Sequence, residues 1–357
     1  MFVKVILLVP YVILNTKYPP AQNWLHLEEK GRLNAEVVKV SYLKHITVVD
    51  MNTLTKILVG LDLSELDETL IQYAAFLCSQ SAIEEVVFVH AEKNMDIPPE
   101  VIEGMPPMQS PEESLELVIE QKVEQYFKQV PGVQVRVHVV EGSPANLLKL
   151  SKEAEVNLML LGRKLRLKGS GDLSQKLLRS GKVSIMFIPE NTVPRLQRVV
   201  VSVDFSEYSM MALERLLQSA LVVPAMEIVC LHAYEVPTGY ITLGESYQKF
   251  DERMKGFAST KFEQVLERFP ELKSRASLKL VRQENDDDIG ELIVMEAKRA
   301  QADMLVVGAK GKTAAAVFML GSVTGKILRH NHDIPLLVFK NPAERVGLMD
   351  VLLGSSE

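Results

Sequence analysis

The stretch VVGAKGKTAAAVFMLGSVTGK, residues 306–326, concentrates glycine and lysine just after an apolar run. Backbone without a Cβ, ammonium groups and unpaired helix amides are what phosphate oxygens need. A Walker loop requires G-x-x-x-x-G-K-[ST]. Gly311-Lys312-Thr313 misses it because position 306 is Val306, and Gly325-Lys326 misses it at Leu320 and Ile327. A G-x-G-x-x-G dinucleotide fingerprint is absent too. What remains is Gly308-x-x-Gly311, nine residues, then Gly321-Ser322. Gly308 lets the chain turn off a strand, while Gly311 and Gly321 let backbone approach a ligand. Ser322, Val323 and Thr324 offer N–H groups and hydroxyls at a helix start, with Lys310 and Lys312 adding charge. Spacing alone leaves a second account open, in which the glycines punctuate a loop and Ser322 or Thr324 is an N-cap.

The elements that must position these residues occur twice. KILVGLDLSE at 56–65 returns as RVVVSVDFSE at 198–207, which sets Asp62 opposite Asp204, 142 residues on. His90 and His232 repeat at the same interval. Gly162 faces Gly308 at an interval of 146, and Lys176 faces Lys326 at 150. The drift puts four extra residues between Gly308 and Lys326, inside the glycine-rich stretch. Each copy reads strand, helix, strand, variable loop, helix, strand, helix, strand, loop, helix, strand, with β-branched runs as buried strands and 3.6-residue apolar spacing in the helices. Ser64, Ser206 and Asp288 stand where helix N-caps are expected.

Strands alternating with helices imply a parallel sheet covered on both faces. The fold class is therefore α/β, two tandem doubly wound parallel five-stranded sheets of Rossmann-like type. The expected organisation is an N-terminal tail at 1–50, a first domain at 51–192, a second at 193–341 and a C-terminal tail at 342–357, with Met51 as the natural domain start. MFVKVILLVPYVIL falls short of the ~20 residues that span a bilayer and contains Lys4 and Pro10, so no membrane role is expected. The chain has 357 residues, 47% hydrophobic and 24% charged, and a net charge of -6, which argues against a nucleic-acid backbone as ligand. Cys78 and Cys230 sit in apolar elements without metal spacing, pointing to a reducing, cytoplasmic setting.

In open α/β sheets a ligand sits at the carboxyl ends of strands, where strand order reverses. In the second copy that point lies between the strand ending near Asp204 and the strand ending at Gly308. The combination of VVVSVDFSEYS at 199–209 with GAKGKTAAAVFMLGSVT at 308–324 resembles the universal stress protein family, over about residues 51–341 in two copies. The resemblance implies a doubly wound, adenine-nucleotide α-hydrolase-like fold and ATP at the switch point, accompanied by Mg²⁺ or Mn²⁺. Carried over, it implies that Asp204, with the backbone of Ser202 and Val203, faces the adenine or ribose. Ala233 lines the adenine pocket, and Val307 and Gly308 contact the ribose side. Lys310, Gly311, Gly321, Ser322, Val323 and Thr324 surround the phosphates. No catalytic residue or protein-held metal is implied, hydrolysis is at most slow, and a nucleotide-free interaction scaffold is the alternative function. The two domains are expected to pair with each other, and pairing between chains as a homodimer is left open.

The first copy departs from the pattern. Asp62, Ser64 and Gly162 are kept, but Leu165 replaces Gly311, Asp172 replaces Ser322 and the loop is four residues shorter. A carboxylate at a helix N-terminus occupies the anion position, so this copy is not expected to bind ATP. His90 and His232 read as framework residues rather than catalysts. His330 and His332 read as favourable charge at a helix C-terminus.

Overall fold

A computed structural model describes residues 54–92, 111–142, 146–164, 174, 176–179, 182–219, 221, 225–284, 287–311 and 320–341. The tails at 1–50 and 342–357, together with Leu165, Asp172 and Lys312, lie outside these residues. The first half runs β1 (Lys56–Leu61), α1 (Leu66–Gln80), β2 (Glu85–Glu92), α2 (Pro111–Phe127), β3 (Gln134–Glu141), α3 (Asn146–Glu153), β4 (Leu158–Arg163) and β5 (Ser184–Pro189). The second runs β6 (Arg198–Ser202), α4 (Glu207–Gln218), β7 (Glu227–Tyr234), a 3₁₀ turn at Thr238–Leu243, α5 (Tyr247–Arg268), β8 (Ala276–Arg282), α6 (Ile289–Arg299), β9 (Met304–Gly308), α7 (Ser322–His330) and β10 (Leu336–Phe339).

The strand order is β3-β2-β1-β4-β5-β10-β9-β6-β7-β8. Each half is a parallel five-stranded unit, as the alternation of elements requires. The two units do not remain separate sheets. β5 and β10 pair antiparallel, with Leu336 opposite Phe187, Leu337 opposite Met186 and Val338 opposite Ile185. A fifth strand left at a sheet edge would present unpaired N–H and C=O groups, and each half covers the other's edge. Antiparallel pairing of equivalent strands is the isologous contact of a twofold dimer, here made within one chain.

Alternate residues of the inner strands feed two cores, one on each face. Ile57, Val59, Val199 and Val201 pack with α1, α2, α4 and α5 on one side. Leu58 and Val200 pack with α3, α6 and α7 on the other. Both cores draw residues from both halves. A buried polar junction crosses the seam. Arg215 donates to Ser184 Oγ at 3.0 Å and to the Lys340 carbonyl, and its guanidinium lies 5.1 Å from the Phe339 ring centre. Lys340 in turn donates through Nζ to the Leu178 carbonyl.

The repeat also holds at the level of backbone strain. Leu63 and Phe205, each just after the aspartate that follows the first strand, have φ of 60° and 59°. Non-glycine residues adopt this left-handed region uncommonly, and they do so at matching positions in both halves. In each case the aspartate side chain closes the turn by accepting, Asp62 Oδ1 from Ser64 N at 3.2 Å and Asp204 Oδ1 from Ser206 N at 3.0 Å.

Ser206 caps α4 by accepting from Ser209 N, and Asp288 caps α6 by accepting from Gly290 N and Glu291 N. Ser64 does not cap α1, contrary to expectation. That helix starts at Leu66 without a side-chain cap, and the Ser64 hydroxyl donates to Asp62 Oδ1 at 2.5 Å. Asp67 Oδ1 instead accepts from Asp62 N at 3.0 Å.

Candidate functional site

β6 lies between β9 and β7, so the crevice between β6 and β9 opens where the chain direction of the crossovers reverses. A cavity of about 570 Å³ occupies it, within the range of small-molecule sites. Ser202, Val203 and Asp204 enter from β6, Ala233 from β7, and Val307 and Gly308 from β9. Lys310, Gly311, Gly321, Ser322, Val323 and Thr324 close the other wall. All twelve residues that the resemblance assigns to the nucleotide line this one cavity, while Lys312 lies outside the described residues.

The glycines sit where a side chain has little room. A Cβ on Gly311 would lie 2.9 Å from Asp204 Oδ2. A Cβ on Gly321 would lie 3.2 Å from Lys310 Cα and 3.3 Å from the Ala309 carbonyl. Gly321 N donates to that carbonyl at 2.8 Å, which folds the start of α7 back against the end of β9. No side chain caps α7, so its first-turn amides face the cavity from a helix N-terminus.

Two details refine the expectation. The Thr324 hydroxyl is buried and donates to the Gly308 carbonyl at 2.8 Å, so its proton is committed to the framework and its share in an anion site is the backbone N–H. Lys310 is largely buried, with Nζ 5.5 Å from the Tyr208 ring centre. It thus brings a cation to the cavity wall at the same end as the α7 amides.

The opposite wall was not legible as a site in the sequence. Tyr234, Glu235, Pro237, Met254 and Gln283 complete it. Tyr234 donates to Asp251 Oδ1 at 2.7 Å, and Asp251 Oδ2 accepts from Lys255 at 2.6 Å. The Lys255 hydrogen bond, together with that from Tyr234, outweighs burial and holds the Asp251 carboxyl below its ordinary range. Tyr234 directly follows Ala233, so the repeated strand end was the available signal. Met254 lies on α5, where helical periodicity marks a buried face and nothing more.

His232 Nδ1 lies 2.8 Å from the Val203 carbonyl, and His90 Nδ1 lies 3.2 Å from the Leu61 carbonyl. Both imidazoles bind the backbone at the end of their neighbouring first strand, a framework contact repeated at equivalent positions. Among the described residues no group of three or more His, Cys, Asp or Glu side chains is arranged for a metal ion. No described helix is long and apolar enough to cross a membrane.

The equivalent crevice of the first half carries its own lysine and aspartate. Lys164, the counterpart of Lys310, pairs with Asp62 Oδ2 at 2.5 Å. Burial pushes the Asp62 carboxyl up, but its bonds to Lys164 and Ser64 outweigh this and hold it below its ordinary value. Leu66 stands where the second half has Tyr208, and a Cβ on Gly162 would lie 2.4 Å from its Cδ2. Lys164→Ala should therefore raise the Asp62 pKa, read by carboxyl-carbon NMR titration; an unmoved titration would contradict the pair. The sign follows from the depressed folded value. Stability from this pair is present above the ordinary carboxylate pKa of about 3.9 and is lost as pH falls through the folded pKa.

The family model described as "Universal stress protein family" matches residues 53–189 and again 195–340. Among solved structures, a universal stress protein from Archaeoglobus fulgidus DSM 4304 aligns with a TM-score of 0.54 at 18% identity, covering 82% of this chain and 99% of its own. A functionally unknown protein from Pseudomonas aeruginosa PAO1 aligns with a TM-score of 0.58 at 12% identity, covering 86% and 99%. No curated protein matches the chain. The duplicated match and the shared architecture establish that the chain belongs to the universal stress protein family, as a tandem member with two copies of the domain.

Proposed function

We propose that the second domain holds ATP in the cavity between β6 and β9, and that the chain serves in the cytoplasm as a stress-response or signalling module governed by that nucleotide. One observation carries this reading. A single cavity joins an anion-binding end, made by the α7 amides, Gly311, Gly321 and Lys310, to an apolar wall containing Ala233, Pro237 and Met254. Those are the two chemistries of a nucleoside phosphate: an anionic tail for helix amides and a flat base for an apolar slot. Asp204, whose Oδ2 lies beside Gly311, offers a carboxylate to ribose hydroxyls. A divalent ion, Mg²⁺ or Mn²⁺, fits this arrangement as one carried mainly by phosphate oxygens with a carboxylate nearby, where it would neutralise phosphate charge.

Restricting the nucleotide to the second domain rests on the sequence of the first, where Leu165 stands in place of Gly311 and Asp172 puts a carboxylate in place of Ser322. Native mass spectrometry of freshly purified full-length protein should show at most one nucleotide mass per chain, restored by added ATP. Two nucleotides per chain would overturn the assignment to one domain. None even with ATP added would favour a nucleotide-free scaffold, and steady ATP turnover would make the protein an ATPase.

A further inference from the structure

Arg163 ends β4 of the first domain, and its counterpart in the repeat is Ala309, so the second domain has no equivalent guanidinium. The side chain crosses the seam. Its Nη2 donates to the Leu328 carbonyl and lies 3.5 Å from His332 Nδ1. Burial lowers the Arg163 pKa to about 10, which leaves the group charged at neutral pH. Burial and the Arg163 charge push His332 below its ordinary value, so its ring nitrogen faces the guanidinium as an acceptor.

Leu328 lies in the last turn of α7, where helix carbonyls lack intrahelical partners. The Ile327 carbonyl accepts from Asn331 N at 2.8 Å, and the next carbonyl along is the one Arg163 takes. A cation there also complements the negative end of the helix dipole. The other end of the same helix supplies the Ser322, Val323 and Thr324 amides to the cavity. Nine residues make a rod about 13 Å long, too short to absorb a shift by bending.

Between its ends α7 crosses α6 tightly. A Cβ on Gly290 of α6 would lie 2.4 Å from Lys326 Cβ and 2.7 Å from Ile327 N. Asp288 adds longer contacts to Lys326 and His330 at 3.5 and 3.6 Å. The N-terminal end is tied to β9 through Gly321 N to the Ala309 carbonyl and Thr324 Oγ1 to the Gly308 carbonyl, so a shift of the released C-terminal end is passed to those ties and to the amides beside them.

We infer that Arg163 is a positioning residue through which the first domain sets the anion affinity of the second domain's cavity, by gripping the far end of α7. The inference rests on the nucleotide reading for its ligand and on α7 itself for its geometry. It also gives the domain with the altered crevice a task in the function of the other.

The test compares full-length wild type, Arg163→Gln and Arg163→Lys by titration with ATP and with adenosine, and by hydrogen exchange of the ligand-free proteins. R163Q should weaken ATP about three- to tenfold and adenosine less than about twofold, because the defect lies at the phosphate end. R163K should recover most of the ATP affinity. Exchange of the 322–330 amides should quicken in R163Q while β6 and β9 stay protected. Equal weakening of both ligands would mean a general structural role and would overturn the inference, as would unchanged ATP affinity. Wild type inert to both ligands would overturn the nucleotide reading instead. The grip on α7 would then be decided by exchange alone, with faster 322–330 amides supporting it and unchanged ones overturning it.

Discussion

Gly321→Val is expected to abolish ATP binding while leaving the protein folded. The backbone at Gly321 has φ -56° and ψ 139°, a conformation valine adopts without strain. Steric room is the limiting factor. A Cβ alone would stand 3.2 Å from Lys310 Cα and 3.4 Å from Gly311 N, and the two methyl groups beyond it must enter the cavity. They would fill the space in front of the α7 amides and push the Lys310–Gly311 segment away. Hydrogen bonds to a charged partner contribute about 1.5–3 kcal/mol each, so losing two weakens binding on the order of a hundredfold or more. Calorimetric titration should give no measurable heat for the variant, with its thermal transition within a few degrees of wild type. A variant that binds ATP like wild type would remove the phosphates from this end of the cavity.

Phe187→Ala is expected to destabilise the whole of the described region rather than one domain. Phe187 is buried on β5 opposite Leu336 of β10, and it belongs to a core that also contains Val200, Ile293 and Ile327 of the second half. Removing a buried phenyl ring costs about 3–5 kcal/mol through lost transfer energy and the cavity left behind. Because both cores are shared across the seam, urea unfolding followed by far-ultraviolet circular dichroism should show one transition in wild type, and one at lower urea in the variant. Two transitions, with only the first displaced, would show that the halves fold independently.

Much of this arrangement could be read from the residues in order. The 142-residue interval between Asp62 and Asp204 fixed which strands correspond, and the glycines at 308, 311 and 321 marked where backbone had to come close. What could not be read was pairing between distant segments. SIMFIP and PLLVF look like buried strands in any context, and nothing local encodes that they run antiparallel to one another. Arg163, Arg215 and Lys340 look like surface charges in sequence, whereas the fold buries Arg215 and Lys340, half-buries Arg163 and gives each a backbone carbonyl at the seam. The Ser64 cap fails although its hydroxyl donates to Asp62 just as that of Ser206 donates to Asp204, so the difference between the two helix starts is not written in the Asp-x-Ser pattern they share. The apolar wall of the cavity was hidden for a related reason, since Met254 follows the same helical period whether it faces a core or a ligand.

The most direct measurement is a crystal structure of the full-length protein soaked with a non-hydrolysable ATP analogue. The account predicts one analogue per chain, with its phosphates against the Ser322–Thr324 amides and its base against Ala233 and Met254, and none beside the Asp62–Lys164 pair. Density for the analogue at Asp62, or an empty cavity between β6 and β9 at saturating analogue, would contradict it.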